Sequence, residues 1–308
     1  SVNIGSNTIV LEGDGIHVRN GSTLQLSEVS CLQGNGVTIS GSANIVVGRF
    51  INCGQNGILI QEGIGNRIQA DILNCGGYGI RISGGGDNRV SYDYAPVSWN
   101  TVSNAALGGI YIENSDLNIV KATVEQCNGQ GIHLKNADQT TIRYGSILNN
   151  QGDGIVLENS SDCFLYDINL MSNRSGLVLM GLGSHSNRSQ HVRIGGIKDA
   201  QSWKLNAIGP HQRHGIHLCD RAHGNTFNNI YILGTGENGI ILEDIGTSDN
   251  HIGADVYIGT PYRDDRFALA AGVSWPIRSG GDGIVVRRGA SRNTLKGCLI
   301  NRYAGNGI

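Results

Sequence analysis

The sequence predicts an all-β chain wound as a single-stranded right-handed parallel β-helix. Three observations predict it: a Gly-aliphatic pair that recurs every 21 to 24 residues, a second recurring asparagine, and insertions at a few coils only. The pair appears at Gly15, Gly36, Gly57, Gly79, Gly109, Gly131, Gly154, Gly176, Gly215, Gly239, Gly283 and Gly307, giving about 12 coils. A fixed short period of this kind is the mark of a stacked repeat. Around each glycine the pattern alternates, as in Gly-Ile-Arg-Ile at 79 and Gly-Ile-His-Leu at 131 and 215. Alternation over so few residues reads as a short strand with one buried face.

The second signal is Asn-x-aliphatic at Asn44, Asn66, Asn88, Asn118, Asn225, Asn250 and Asn293, with Asp162 in that place in one unit. Each unit therefore holds about three short strands. Twenty-two residues are too few for a pair of helices, and a leucine-rich frame is missing. Coils stacked at the strand spacing satisfy the backbone and bury one continuous core. The stacked asparagines are then expected to hydrogen-bond along the axis, and Cys53 and Cys75 to stack in the same manner.

Composition excludes other classes. Glycine is 47 of 308 residues and proline only 4, which is neither collagen-like nor a disordered Pro/Gly mixture. The charge of −2, from 23 basic and 25 acidic residues, lacks the basic excess of a nucleic-acid binder. No apolar run reaches the length of about 20 residues that a membrane-spanning helix needs. Seven cysteines, an odd number without zinc spacing, read as small buried apolar residues.

Three of the Gly-to-Gly intervals are long, 30, 39 and 44 residues. Alignment on the asparagines assigns the excess to about 95–108, 198–214 and 259–282, all in the turn leading back into the Gly-Ile strand. Insertions at one turn are expected to wall one edge of the Gly-Ile sheet, where function concentrates. Each carries one of the three tryptophans, Trp99, Trp203 and Trp275, which suit the apolar face of a sugar ring.

The outward positions of the Gly-Ile strands form two columns. One runs Arg81, Tyr111, His133, Val156, Val178, His217, Ile241; the other runs Ser83, Glu113, Lys135, Glu158, Met180, Cys219, Glu243. Tyr111, Glu113, His133, Lys135 and Glu158 are the candidate catalytic set, on a floor roughly 15–19 Å long with room for about three or four sugars. Glu113 and Glu158, two rungs and about 9–10 Å apart, approach the separation of about 6.5–9.5 Å used by inverting glycosidases. This favours hydrolysis by acid and base carboxylates. The alternative is uronate lyase or epimerase chemistry, with Lys135, His133 or Tyr111 moving the proton. A non-catalytic glycan-binding β-helix is the reading from another class. Arg81, Trp99, Trp203, His214, His217, Asp220, Glu243 and Trp275 are the candidate substrate-binding residues. The density of His211, His214, His217 and His223 matches no standard zinc spacing, so no metal is assigned.

These Gly-Ile and Asn repeats resemble the parallel β-helix repeat family, which includes pectate lyases, polygalacturonases, alginate-modifying enzymes and phage tailspikes. The resemblance spans essentially the whole chain and is specific for fold. Departures narrow it: there is no aspartate trio for calcium, no full polygalacturonase set despite Asp14, Asp153 and Asp282 before Gly-Ile, and no Asp-Pro-His. What remains is most like a tailspike or capsule depolymerase. That resemblance implies a polysaccharide substrate, a homotrimer, and an extracellular or virion-associated setting; no cofactor is assigned, since a bound calcium has no ligand motif to support it. The chain ends Gly-Asn-Gly-Ile at the start of a coil, so it is expected to be a fragment of a longer chain whose continuation or partner covers the open end.

Overall fold

The computed structural model describes residues 2–13, 15–91, 100–194, 197–198, 205–206, 211–259, 280–301 and 303–308. Among them the regular secondary structure is β throughout. The Gly-Ile strands stack in parallel and in register into an eleven-stranded sheet, for example Ile110 on Ile132 and Ile132 on Ile155. The amide of Ile284 donates to the Gly307 carbonyl (3.0 Å), so the last residues open a twelfth coil. The other two faces of the coil form one eighteen-stranded sheet. Some strands, such as Arg67–Leu73, bend through the corner between those two faces without interruption. The chain is thus a parallel β-helix with three faces, and its inward aliphatics, including Ile58, Ile80, Ile110, Ile132 and Ile155, are fully buried.

The repeating glycine has a steric cause. A Cβ on Gly131 would lie 2.2 Å from Ile147 Cγ2 and 2.6 Å from the Gly154 carbonyl oxygen, and Gly109 is crowded by Val124 and the Gly131 carbonyl in the same way. The corner before the Gly-Ile strand therefore leaves no room for a side chain. We expect Gly131→Ala to destabilise the fold by about 1–3 kcal/mol, the usual cost of overpacking. An unchanged urea midpoint would refute this account.

The asparagine ladder runs at the corner after the Gly-Ile strand. Asn44 Nδ2 donates to Asn66 Oδ1 (2.8 Å) and Asn66 Nδ2 to Asn88 Oδ1 (2.9 Å). Its lower half runs Asn187, Asn225, Asn250, Asn293 through side-chain bonds of 2.9–3.0 Å. Between the halves stand Thr140 and Cys163. Asp162 is not a rung: it turns with φ 53 beside Cys163, whose amide donates to Asn187 Oδ1 (2.9 Å). The ladder position is fixed by which backbone amide bonds the previous rung, and Phe164 and Arg188 place Thr140 and Cys163 there.

A second internal column lines the return corner: Cys31, Cys53, Cys75, Ala105, Cys127, Asn150, Asn173, His211 and Thr235, all buried. Cys53 and Cys75 do stack in it, and all seven cysteines are free thiols.

Asn100–Ser103 is an ordinary rung, with Val102 on Ile72 and on Val124. The excess of that coil therefore lies between Val90 and Asn100, at the middle corner, and not over 95–108 before the Gly-Ile strand. The aromatic Tyr94 stands six residues after Asn88 and imitates the spacing of Ile72 after Asn66, but Val102 takes the rung. In the other two long coils the described stack is followed as far as Ile194 and Gly259. His211 to His214 are already back in the stack, since Gln212 donates to the Asn173 carbonyl, and Gly280 is back by its bond to Thr235.

Candidate functional site

The outward columns of the Gly-Ile sheet stand as the alternation requires, with Arg81, Tyr111 and His133 on one and Ser83, Glu113, Lys135 and Glu158 on the other. The side chains, however, pair diagonally. Arg81 reaches from its rung to Glu113 on the next (2.5 Å), and His133 reaches likewise to Glu158 (3.0 Å). Glu113 also accepts from Ser83 (3.2 Å) and from the Tyr111 hydroxyl (3.1 Å). Lys135 takes the other oxygen of Glu158 at 2.8 Å. Tyr111 stacks on Tyr78 (ring centroids 4.9 Å) and stands edge-on to His133 (5.1 Å).

These contacts set the protonation states. Partial burial raises the Glu113 carboxyl, but hydrogen bonds from Arg81 and Tyr111 outweigh it and leave it below the ordinary glutamate range. Glu158 behaves the same way, with Lys135 and His133 overcoming burial. Burial lowers His133, and the Glu158 carboxylate only partly restores it, so the imidazole is neutral at pH 7. Burial and the Glu113 carboxylate push the Tyr111 phenol upward, which keeps it protonated. A carboxylate only accepts, so His133 presents Nε2–H to Glu158 and carries its lone pair on Nδ1.

A second cluster lies three and more rungs further on. His217 Nε2 meets Glu243 Oε1 at 2.9 Å, and Arg287 and Arg288 hold the other oxygen at 2.8 and 3.3 Å. His214, nearly buried, stands edge-on to His217 (5.3 Å) and faces Glu237 at 3.2 Å. Its Nδ1 accepts the Asn238 amide (3.4 Å), which makes Nε2–H the donor to Glu237 and the ring neutral. Burial lowers its pKa to about 4.

Of the residues expected at the site, Arg81, Tyr111, Glu113, His133, Lys135 and Glu158 come together, as do His214, His217 and Glu243. Asp220 does not. It follows the end of its strand at Cys219, in a turn with φ 49, where its amide donates to Asp244 and its carboxylate lies 4.0 Å from Arg221. Trp99, Trp203 and Trp275 lie outside the described residues. His211 belongs to the internal column and not to the groove. Asp153, before Gly154, is closed on Arg174 and the Ser175 amide. Sequence reasoning missed Tyr78, Arg287 and Arg288; the first precedes its glycine and falls outside the alternating columns. Among the described residues no three of His, Cys, Asp and Glu gather to hold a metal.

The architecture defines the class: a right-handed parallel β-helix. A family model described as the right handed beta helix region matches residues 68–203. No curated protein matches the sequence. Among solved structures, a mutant of the periplasmic alginate epimerase AlgG is similar at 14% identity and TM-score 0.54, covering 97% of this chain and 75% of its own. The Dettilon tailspike protein is similar at 15% identity and TM-score 0.53, covering 91% of this chain. This chain spans 61% of that tailspike's length. At these identities the likeness is one of fold.

Proposed function

We propose that the protein is a polysaccharide-active β-helix that breaks an acidic polysaccharide by β-elimination at a uronate, on the floor built by His133, Glu158, Tyr111 and Glu113. The observation that carries this reading is a neutral imidazole, oriented by a carboxylate, beside a protonated phenol. The spacing of Glu113 and Glu158 alone favours hydrolysis. Hydrolysis by that pair requires one carboxyl to hold a proton for the leaving oxygen. Both glutamates are ion-paired and held ionised, so that proton is missing.

Elimination needs no carboxylic acid. His133 Nδ1 takes the proton from the carbon next to the uronate carboxylate, and Glu158 stabilises the imidazolium that results. The electron pair of the broken C–H bond forms the C4=C5 double bond, and the C4–O4 bond breaks. The Tyr111 phenol gives its proton to the leaving oxygen, and the phenolate regains one as the imidazolium releases its own. Half-exposed Arg81 and Lys135 face the same floor and supply positive charge for the uronate carboxylate. Return of a proton to the opposite face of C5 before the C–O bond breaks would give epimerisation instead. The names of the two fold neighbours, a tailspike and a periplasmic epimerase, support a setting outside the cytoplasm where such polymers occur.

The test is incubation with neutral and acidic polysaccharides, following chain length and the ultraviolet absorbance of the new double bond. Shortened acidic chains with new absorbance are expected. Shortening without absorbance overturns elimination in favour of hydrolysis, and binding without any change makes the groove a glycan-binding surface. Because the base must be neutral, kcat/KM should fall only as pH drops below the ordinary histidine value of about 6.5. An acid limb at or above that value contradicts the lowered state of His133.

A further inference from the structure

The Gly-Ile sheet carries the His–Glu unit twice. His133 and Glu158 occupy the first column of one rung and the second column of the next. His217 and Glu243 repeat that diagonal on the rungs opened by Gly215 and Gly239. The contacts agree feature by feature. The Nε2-to-carboxylate distances are 3.0 and 2.9 Å, and each histidine side chain is 17% exposed. The second oxygen of each glutamate is held by a cation, Lys135 at 2.8 Å and Arg287 at 2.8 Å. A ring stands edge-on against each imidazole, Tyr111 at 5.1 Å and His214 at 5.3 Å. The register His133–Val156–Val178–His217 puts the two histidines three rungs apart on one straight column, about 14 Å at the usual strand spacing.

The carboxylate of the second unit is the better buried of the two, its side chain 10% exposed against 23% for Glu158. Glu243 is nearly buried, and an ion pair there is desolvated at a cost that structure alone does not require.

From this repetition we infer that His217, oriented by Glu243, is the base of a second elimination centre on the same groove, acting on the same class of acidic polysaccharide. The inference rests on the proposed function. Among the described residues the second centre has no phenol: its edge-on ring is His214, a neutral imidazole whose Nε2–H is directed at Glu237. His217 therefore does both jobs. Nδ1 takes the C5 proton, the electron pair forms C4=C5 as the C4–O4 bond breaks, and the same Nδ1–H protonates the leaving oxygen on that face. Arg287 and Arg288 provide the positive charge that Arg81 and Lys135 provide at the first centre.

The test compares the unaltered chain with His133→Gln, His217→Gln and the double variant on alginate, polygalacturonate and hyaluronate, with absorbance and product length as readouts. Thermal unfolding of each variant confirms that it is folded. The expected result is that each single variant keeps at least about a tenth of the rate and gives longer products than the unaltered chain. The double variant should lose about 10²–10⁴-fold, the usual contribution of a general base. If His133→Gln alone removes the activity while His217→Gln changes only KM or nothing, the second centre is refuted and the first stands. If the unaltered chain forms no double bond on these polymers, or the double variant matches it, the elimination reading fails and this inference with it.

Discussion

Asn225→Ala should cost about 2–4 kcal/mol, because this ladder side chain makes four buried hydrogen bonds. Asn225 Oδ1 accepts from both the backbone amide and the side-chain amide of Asn187, each at 3.0 Å. Its Nδ2 donates to the Ser184 carbonyl (3.0 Å) and to Asn250 Oδ1 (2.9 Å). Alanine removes all four bonds at a position with no exposed surface. The Asn187 amide is then buried without an acceptor, whereas Ser184 O keeps the His223 amide. Stacked repeats couple mainly to their neighbours, so the loss should be local. Hydrogen exchange should accelerate in the rungs holding Asn187, Asn225 and Asn250 and stay unchanged near Asn44 and Asn66. A uniform change along the axis, or none, would show that the ladder does not hold the corner.

The ladder also shows what the sequence discloses and what it hides. Glycine and asparagine recur because the corners demand them: one leaves no space for a Cβ, and the other needs a side chain that accepts and donates at once. Both demands act at every coil and are legible as a period. The interruption at Thr140 and Cys163 is less legible, because Asp162 next door imitates the missing asparagine. The first insertion was hidden by the same kind of imitation, with Tyr94 standing in for the strand that Val102 makes. The outward columns follow from alternation alone. Their pairing does not, because long side chains reach diagonally to the next rung, joining Arg81 to Glu113 and His133 to Glu158. That diagonal decides the chemistry. It engages both glutamates and leaves the histidine as the group free of charge.

Acid should unfold the chain through His211, and His211→Asn should blunt the effect. His211 continues the internal column of Asn150 and Asn173. The Asn150 and Asn173 side-chain amides donate to the carbonyls of Val124 (3.3 Å) and Ile147 (2.9 Å), and His211 Nε2 meets the next carbonyl in that series, Leu170, at 3.1 Å. The imidazole thus imitates an asparagine amide. Its Nδ1, left with a lone pair in the neutral ring, faces the Asn173 carbonyl oxygen at 3.3 Å, where an asparagine would offer an acceptor to the Asn173 amide. Full burial lowers the pKa of His211 to about 4, against a partial upward pull from those two carbonyls and from Asp153. The unfolded chain binds a proton near pH 6.5, the folded chain only near 4. Stability is therefore complete above about 6.5, declines as pH falls through that value, and has lost about 3 kcal/mol by pH 4. His214, also lowered to about 4, adds a loss of the same sign. Asparagine at 211 extends the existing ladder and does not titrate, so His211→Asn should match the unaltered chain within about 1 kcal/mol at pH 7.5. At pH 4.5 it should be the more stable of the two. Urea midpoints at the two pH values measure this directly; parallel losses in both proteins would mean that the acid sensitivity resides elsewhere.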